Sequence, residues 1–197
     1  MPFYPLFLEL QDRPCLVIGG GRVAFRKAAA LLSCGARVTV VGPALSSGLK
    51  RLAAGRKVRW KARRFEARDL NGMGLVIAAT DDQRVNEWAA REARRRHLWI
   101  NVVDQPALCS FILPSVVRRG KLVLAISTGG ASPALAKWIR RDLEKRYAGF
   151  GRLLDRMAAV RRPVQKEIRG AAARKQLFEK ALKAYLREIA SALRASQ

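Results

Sequence analysis

The chain has 197 residues, half of them hydrophobic, and a formal charge of +24. That length suits one domain of about 110–150 residues plus a smaller appendage, and so large an apolar share excludes a disordered polymer. One histidine and three scattered cysteines exclude a His/Cys metal cluster and a disulfide framework, so Cys15, Cys34 and Cys109 read as buried thiols in a reducing compartment.

The first element carries the most information. Cys15-Leu16-Val17-Ile18 runs directly into Gly19-Gly20-Gly21, and a helical segment, Phe25 to Leu32, follows. A buried strand, a tight turn and a helix N-terminus in the form G-x-G-x-x-A are a dinucleotide-binding fingerprint. Gly19 supplies the turn, Gly21 lets the backbone approach a pyrophosphate, and Ala24 lets the helix pack on the strand. The helix N-terminus offers free N–H groups and a positive dipole end to the phosphates.

Arg37 to Val41 is a second strand, closed by Gly42-Pro43, and Leu45 to Ala54 suits a short helix. Val58-Arg59-Trp60 is a third strand and Leu75 to Ala79 a fourth. Thr80-Asp81-Asp82 then stands where the next helix, about Gln83 to Arg96, needs its cap. His97 reads as a surface residue ahead of a fifth strand, Trp99 to Val103, which ends at Asp104. Strands alternating with helices at this spacing predict a Rossmann-like, doubly wound parallel α/β sheet with right-handed crossovers.

The pattern changes near Ser110. Phe111 to Leu113 and Ser115 to Val117 read as extended, Arg118-Arg119-Gly120 as a turn, and Lys121 to Ile126 as a returning strand, which makes a hairpin. Ser127 to Pro133 is a small-residue loop with Ser132 as N-cap and Pro133 at the first helical position. The helix from Pro133 to about Tyr147 places Leu135, Trp138, Ile139 and Leu143 on one face. Two basic helices complete the chain, with breaks expected near Pro163 and Gly170. The expected organisation is a nucleotide-binding domain at 1–113, a small α+β dimerisation segment at 114–147 and a helical region at 148–197.

In such a fold, ligands bind beyond the carboxyl ends of the strands, where the strand order reverses. The glycine loop, Thr80 and the run Asn101-Val102-Val103-Asp104 fall there. Asp104 suits general acid–base chemistry, or alternatively capping of the turn before Pro106. Asp81 and Asp82 read first as helix caps. An acid for the adenosine ribose, expected about 20 residues past the glycines, is absent; Val41-Gly42-Pro43-Ala44 stands in its place, leaving both NAD and NADP open. The charge divides as 19 basic and 9 acidic side chains in residues 1–113, and 20 and 6 in residues 114–197. That balance points to an anionic partner or to an arginine-rich solvated surface.

Taken in order, Pro5-Leu6-Phe7, Cys15 to Lys27, Ala78 to Asp82 with Asn86, Asn101 to Asp104, Ser110-Phe111-Ile112 with Pro114-Ser115, and Ser127 to Pro133 resemble the precorrin-2 dehydrogenase and sirohydrochlorin ferrochelatase family, which includes the N-terminal module of siroheme synthase. The resemblance spans about residues 3–147. It implies NAD-dependent oxidation of precorrin-2 to sirohydrochlorin on the way to sirohaem, and a homodimer interlocked through about 114–147. Some members of the family also insert Fe²⁺ and others only oxidise.

By position, the resemblance makes Asp104 the catalytic acid–base. It sets Arg22 and Val23 against NAD from the glycine loop, beside Gly19 and Gly21, and Pro43 and Ala44 at the adenosine side, with Thr80 and Val102 completing the cofactor contacts. A polycarboxylate tetrapyrrole suits a basic protein, and Ser127 and Thr128 are candidates to hold its carboxylates. Two rival expectations are a regulatory NAD(H)-sensing module, indifferent to loss of Asp104, and nucleic-acid binding by the basic C-terminal helices. No helix-turn-helix or RNA-reading motif supports the latter, so neither nucleic acid nor membrane is expected as a partner. With no signal peptide and no apolar run of membrane-spanning length, the expected location is the cytoplasm.

Overall fold

The computed structural model describes residues 3–195, with side chains through Glu188. It divides into two compact units, the first ending at Leu113 and the second beginning at Pro114.

The first unit is built on a five-stranded parallel sheet of β1 (Pro14–Ile18), β2 (Arg37–Val41), β3 (Val58–Lys61), β4 (Leu75–Ala78) and β5 (Trp99–Val102), in the order β3-β2-β1-β4-β5. The chain winds outward from β1 in both directions, so the order reverses between β1 and β4. The inner strands are short apolar runs because both faces are covered, as a parallel sheet requires, whereas β3, at the edge, is largely exposed. One face packs Cys15, Val17, Val38, Val40 and Ile77 against α1 (Arg22–Leu32) through Ala24, Ala28 and Leu31, and against α2 (Ser47–Ala54) through Leu49. The other packs Leu16, Ile18, Val76, Ile100 and Val102 against Ala89, Ala90 and Ala93 of α3 (Gln83–Arg95). Small alanines on the inner helix faces let the helices lie close to the sheet. Helix α1 starts at Arg22, three residues earlier than the apolar pattern suggests, because Gly21 is already its N-cap. Helix α2 starts at Ser47, with Ser46 as N-cap.

The second unit opens with the antiparallel pair β6 (Ser115–Arg119) and β7 (Leu122–Ile126). Strand β6 runs through Arg118 and Arg119, where the sequence pattern predicts the turn. Only Gly120, at φ 58°, takes the left-handed backbone that reverses the chain there. Residues 111–113 are not strand, since Pro114 interrupts the extended run. Helices α4 (Pro133–Arg146), α5 (Phe150–Glu167) and α6 (Ala171–Ala195) follow, and Val117, Ala136, Leu153 and Val164 are buried there. Ser132 caps α4 by accepting from Leu135 N–H at 3.1 Å. Pro163 lies inside α5 and does not break it. An interior proline costs about 3 kcal/mol, and burial of the adjacent Val164 works against that penalty. The break falls instead at Gly170, with φ 104°.

Among the described residues, no helix is long and apolar enough to cross a membrane. All three cysteines are free thiols, but Cys34 is exposed, contrary to the expectation of burial; it lies in the turn after α1 rather than on the helix's inner face. Burial pushes the Cys15 thiol up to about 11, with Cys34 nearby adding to the effect.

Candidate dinucleotide and catalytic cleft

The turn after β1 is fixed by sterics on two sides. Gly19 has φ 116°, and a Cβ there would collide with the carbonyl oxygen of Ala79. At Gly20 a Cβ would collide with the carbonyl oxygen of Ala44. Its own carbonyl accepts from Ser46 N–H at 2.7 Å, and Ser46 Oγ donates to Gly21 O at 3.4 Å. The glycine loop is thereby closed against the β2–α2 turn, and Gly20 is as constrained as Gly19. At Gly21 the reverse holds: a Cβ would meet nothing within 4 Å. The space above Gly21, at the start of α1, opens into a cleft of about 890 Å³.

That cleft lies over the point where the strand order reverses. Its wall includes Gly19, Gly20, Gly21, Arg22 and Val23 from the β1–α1 turn, and Pro43 and Ala44 after β2. Arg64 and Phe65 reach it from beyond β3, and Thr80, Asp81, Val103 and Asp104 from the ends of β4 and β5. The structure thus brings nearly all the sequence-predicted positions of this unit to one place. Val102 is the exception. It is 2% exposed in the core beneath, and Val103 takes its place on the wall. Ser127 and Thr128 belong to the second unit. There Ser127 Oγ accepts from Gly129 N–H at 3.1 Å, and Thr128 Oγ1 accepts from Ser132 N–H at 3.2 Å.

Each wall residue has a local reason for its position. Thr80 Oγ1 accepts from Asp82 N–H at 3.0 Å, and Asn86 Nδ2 donates to Thr80 O at 3.0 Å, so the hydroxyl serves the β4–α3 turn. Asp82 caps α3 through Arg84 N–H at 3.0 Å and Val85 N–H at 3.3 Å, as its position after β4 predicts. Asp104 stands apart. It is exposed, its side chain caps nothing, and its backbone sits at φ 59°, a left-handed conformation that Asp and Asn tolerate better than other side-chain-bearing residues. Cys109 anchors the chain leaving β5, accepting from Val102 N–H at 3.1 Å.

Two contributors were not legible beforehand. Lys27 on α1 is half-buried; burial and then Arg26 press its ammonium below the ordinary lysine value, while Asp104 and Cys109 push the other way. A cation therefore stands close enough to Asp104 to interact with its charge. The second is the loop carrying Arg64. Asp69, with its side chain fully buried, accepts from Lys61 Nζ at 2.6 Å, from Arg63 Nη1 and Nη2 at 2.8 and 2.7 Å, and from Glu66 N–H at 3.0 Å. Burial alone would raise the Asp69 carboxyl, but these donors outweigh it and hold it far below the usual carboxylate range. Lys27 closes the stretch that carries the family resemblance but adjoins a buried helix stripe, and Arg64 sits in a basic run that reads as solvated surface.

The glycine cradle and the open space above it fit a dinucleotide: backbone N–H groups and the N-terminus of α1 face the cleft, with no side chain in the way. Comparison with known proteins agrees. Residues 6–115 match a family described as putative NAD(P)-binding, and residues 119–146 match one described as sirohaem biosynthesis protein central. The siroheme synthase of Methylococcus capsulatus is 42% identical over 191 residues, which cover 96% of this chain and 40% of that protein. That of Methylobacillus flagellatus is 44% identical over 180 residues, covering 91% and 38%. The chain thus spans about two fifths of the length of the curated relatives it matches. Among solved structures, SirC, a precorrin-2 dehydrogenase, superposes with a TM-score of 0.80 at 27% identity, over 96% of this chain and 100% of that one.

Proposed function

This chain belongs to the putative NAD(P)-binding family, and we propose that it oxidises precorrin-2 to sirohydrochlorin with NAD⁺ as acceptor, on the way to sirohaem. The observation that carries the reading is the likeness to SirC over 96% of this chain. Asp104, on the wall of the cleft that holds the glycine loop, supports it with a suitable acid–base.

The reaction removes a hydride and a proton from a reduced macrocycle. NAD⁺, when bound, is the hydride acceptor. The backbone N–H groups of the glycine loop and the N-terminus of α1 hold the pyrophosphate, and Arg22 and Val23 flank it. Gly42-Pro43-Ala44, pinned by Trp60 Nε1–H donating to Gly42 O at 2.9 Å, gives the adenosine side a fixed wall. An Asp104 carboxylate oxygen takes the proton, from a side chain that no capping bond ties down. Lys27 adds positive charge beside it, which draws a substrate bearing eight carboxylates toward the cleft. Ser127 and Thr128, ahead of the α4 N-terminus, hold a substrate carboxylate in this proposal.

The proposal includes a homodimer. Its support is an apolar stripe on α4, where Leu135 is 48% and Trp138 64% exposed, more large apolar surface than a single helix face usually leaves in water. Three unpaired thiols favour work in the cytoplasm.

The test is anaerobic incubation with precorrin-2 and NAD⁺, following sirohydrochlorin by absorbance, with Asp104→Asn alongside. The reading expects turnover by the wild type and its loss in a folded variant that still binds NADH. NADH binding without turnover by the wild type would overturn it and favour a sensing module.

A further inference from the structure

The cleft is electrically polarised. Its carboxylates, Asp81, Asp82 and Asp104, all stand beyond β4 and β5. On the β2–β3 side, where the adenosine half of a dinucleotide lies in this fold, the wall consists of Val41, Gly42, Pro43, Ala44, Leu45, Ser46, Phe65 and one charged residue, Arg64. The acid that would bind a ribose 2′-hydroxyl and repel a 2′-phosphate is absent, and Arg64, an exposed cation, lines that side.

Arg64 is held in place without being neutralised. On one side Arg63 clamps Asp69 and also donates from Nη1 to the Arg64 carbonyl at 2.9 Å. On the other, Phe65 is 5% exposed and packs edge-on against Trp88, with ring centroids 5.0 Å apart. The nearest acid in sequence, Glu66, pairs with Arg63 and Arg68. Among the described residues no carboxylate forms an ion pair with Arg64. A cation on the wall of a dinucleotide cleft, with its backbone anchored on both sides and no carboxylate paired to it, has the properties of an anion receptor.

From this the geometry points to a site for a 2′-phosphorylated dinucleotide: the cleft accepts NADP(H) as well as NAD(H), and Arg64 receives the 2′-phosphate. The inference rests on the reading of the cleft as a dinucleotide site. Asp69 is a positioning residue here, acting on the nucleotide only through the loop that carries Arg64.

The test titrates the full chain with NADH and NADPH separately, by nucleotide fluorescence, and reads the ratio of the two dissociation constants. The wild type is expected to bind NADPH within about tenfold of NADH. In Arg64→Gln the ratio should move against NADPH by about tenfold, the scale of a lost charge-assisted bond. Arg64→Glu should move it further, and Arg64→Lys should keep most of the wild-type ratio. Asp69→Asn should shift the ratio in the same direction as Arg64→Gln, which a purely structural role would not do. NADH binding with NADPH weaker by more than about a hundredfold, or a ratio indifferent to Arg64, overturns the inference and leaves the dinucleotide site standing. Binding of neither nucleotide overturns both.

Discussion

Arg63 grips both carboxylate oxygens of Asp69, at 2.8 and 2.7 Å, in a part of the first unit where the Asp69 side chain has no exposure to solvent. Lys61 and a backbone N–H complete the set, so the charge is buried but fully satisfied. Removing one partner of such a group costs more than the pair itself contributes. Asp69→Asn is expected to lower stability by about 2 kcal/mol, read as a shift of the urea midpoint. The pH dependence has a definite sign. A carboxyl held below its unfolded value of about 4 contributes stability that is complete above that pH and drains away as pH falls toward the folded value. The gap between wild type and Asp69→Asn should therefore be widest near neutrality and close below about pH 4. A gap that stays constant through that range would contradict the ion-pairing account.

The backbone of Asp104 dictates how its chemistry should be tested. At φ 59° an alanine adds strain to the loss of the carboxylate, about 1 kcal/mol, whereas asparagine tolerates that conformation. Asp104→Asn should melt within about 1 °C of wild type, and Asp104→Ala measurably lower. Turnover should fall by at least about a hundredfold in both. Retained turnover in Asp104→Asn would reduce the residue to a shaper of the turn.

Gly20 and Gly21 are neighbours with opposite expected behaviour. Gly20→Ala drives a methyl group into the Ala44 carbonyl and should destabilise the protein by about 2 kcal/mol. Gly21→Ala meets open space at an ordinary φ of −74°, so stability should change by no more than about 0.5 kcal/mol. The methyl then stands where a pyrophosphate must approach, and NADH affinity should drop by about tenfold or more. Thermal melts with and without NADH separate the two effects.

Trp138 gives the proposed dimer its own test. Trp138→Glu places a charge in the middle of the exposed α4 stripe. Light scattering should show wild type at twice the chain mass and the variant at or near one chain mass. Equal masses for the two would remove that stripe from the interface.

The sheet could be read from the sequence because β1, β2, β4 and β5 are short, mainly apolar runs with a glycine or acidic residue within three positions of their carboxyl ends, and a doubly covered sheet demands that pattern. Strand β3, at the sheet edge, carries Arg59 and Lys61 and follows it least. Boundaries moved where one residue overrode a periodicity. Gly21 starts α1 early, Gly120 alone makes the hairpin turn, and Pro163 is absorbed inside α5. Within the cleft, the positions contiguous with the glycine loop and the strand ends were readable as motifs. Arg64 was not, because its role depends on a carboxylate five residues away and on burial that no local pattern reveals. Gly20 was likewise hidden, since its constraint is a carbonyl 24 positions along the chain.

The strand order β3-β2-β1-β4-β5 carries a last consequence. A ligand seated over the reversal touches turns from both halves of the sheet, so its binding energy adds directly to the cohesion of the first unit. At a hundredfold excess over its dissociation constant, that linkage amounts to about 2.7 kcal/mol. The melting temperature of this protein thus becomes a gauge of its nucleotide occupancy, readable without any macrocycle and sensitive to each cleft variant above.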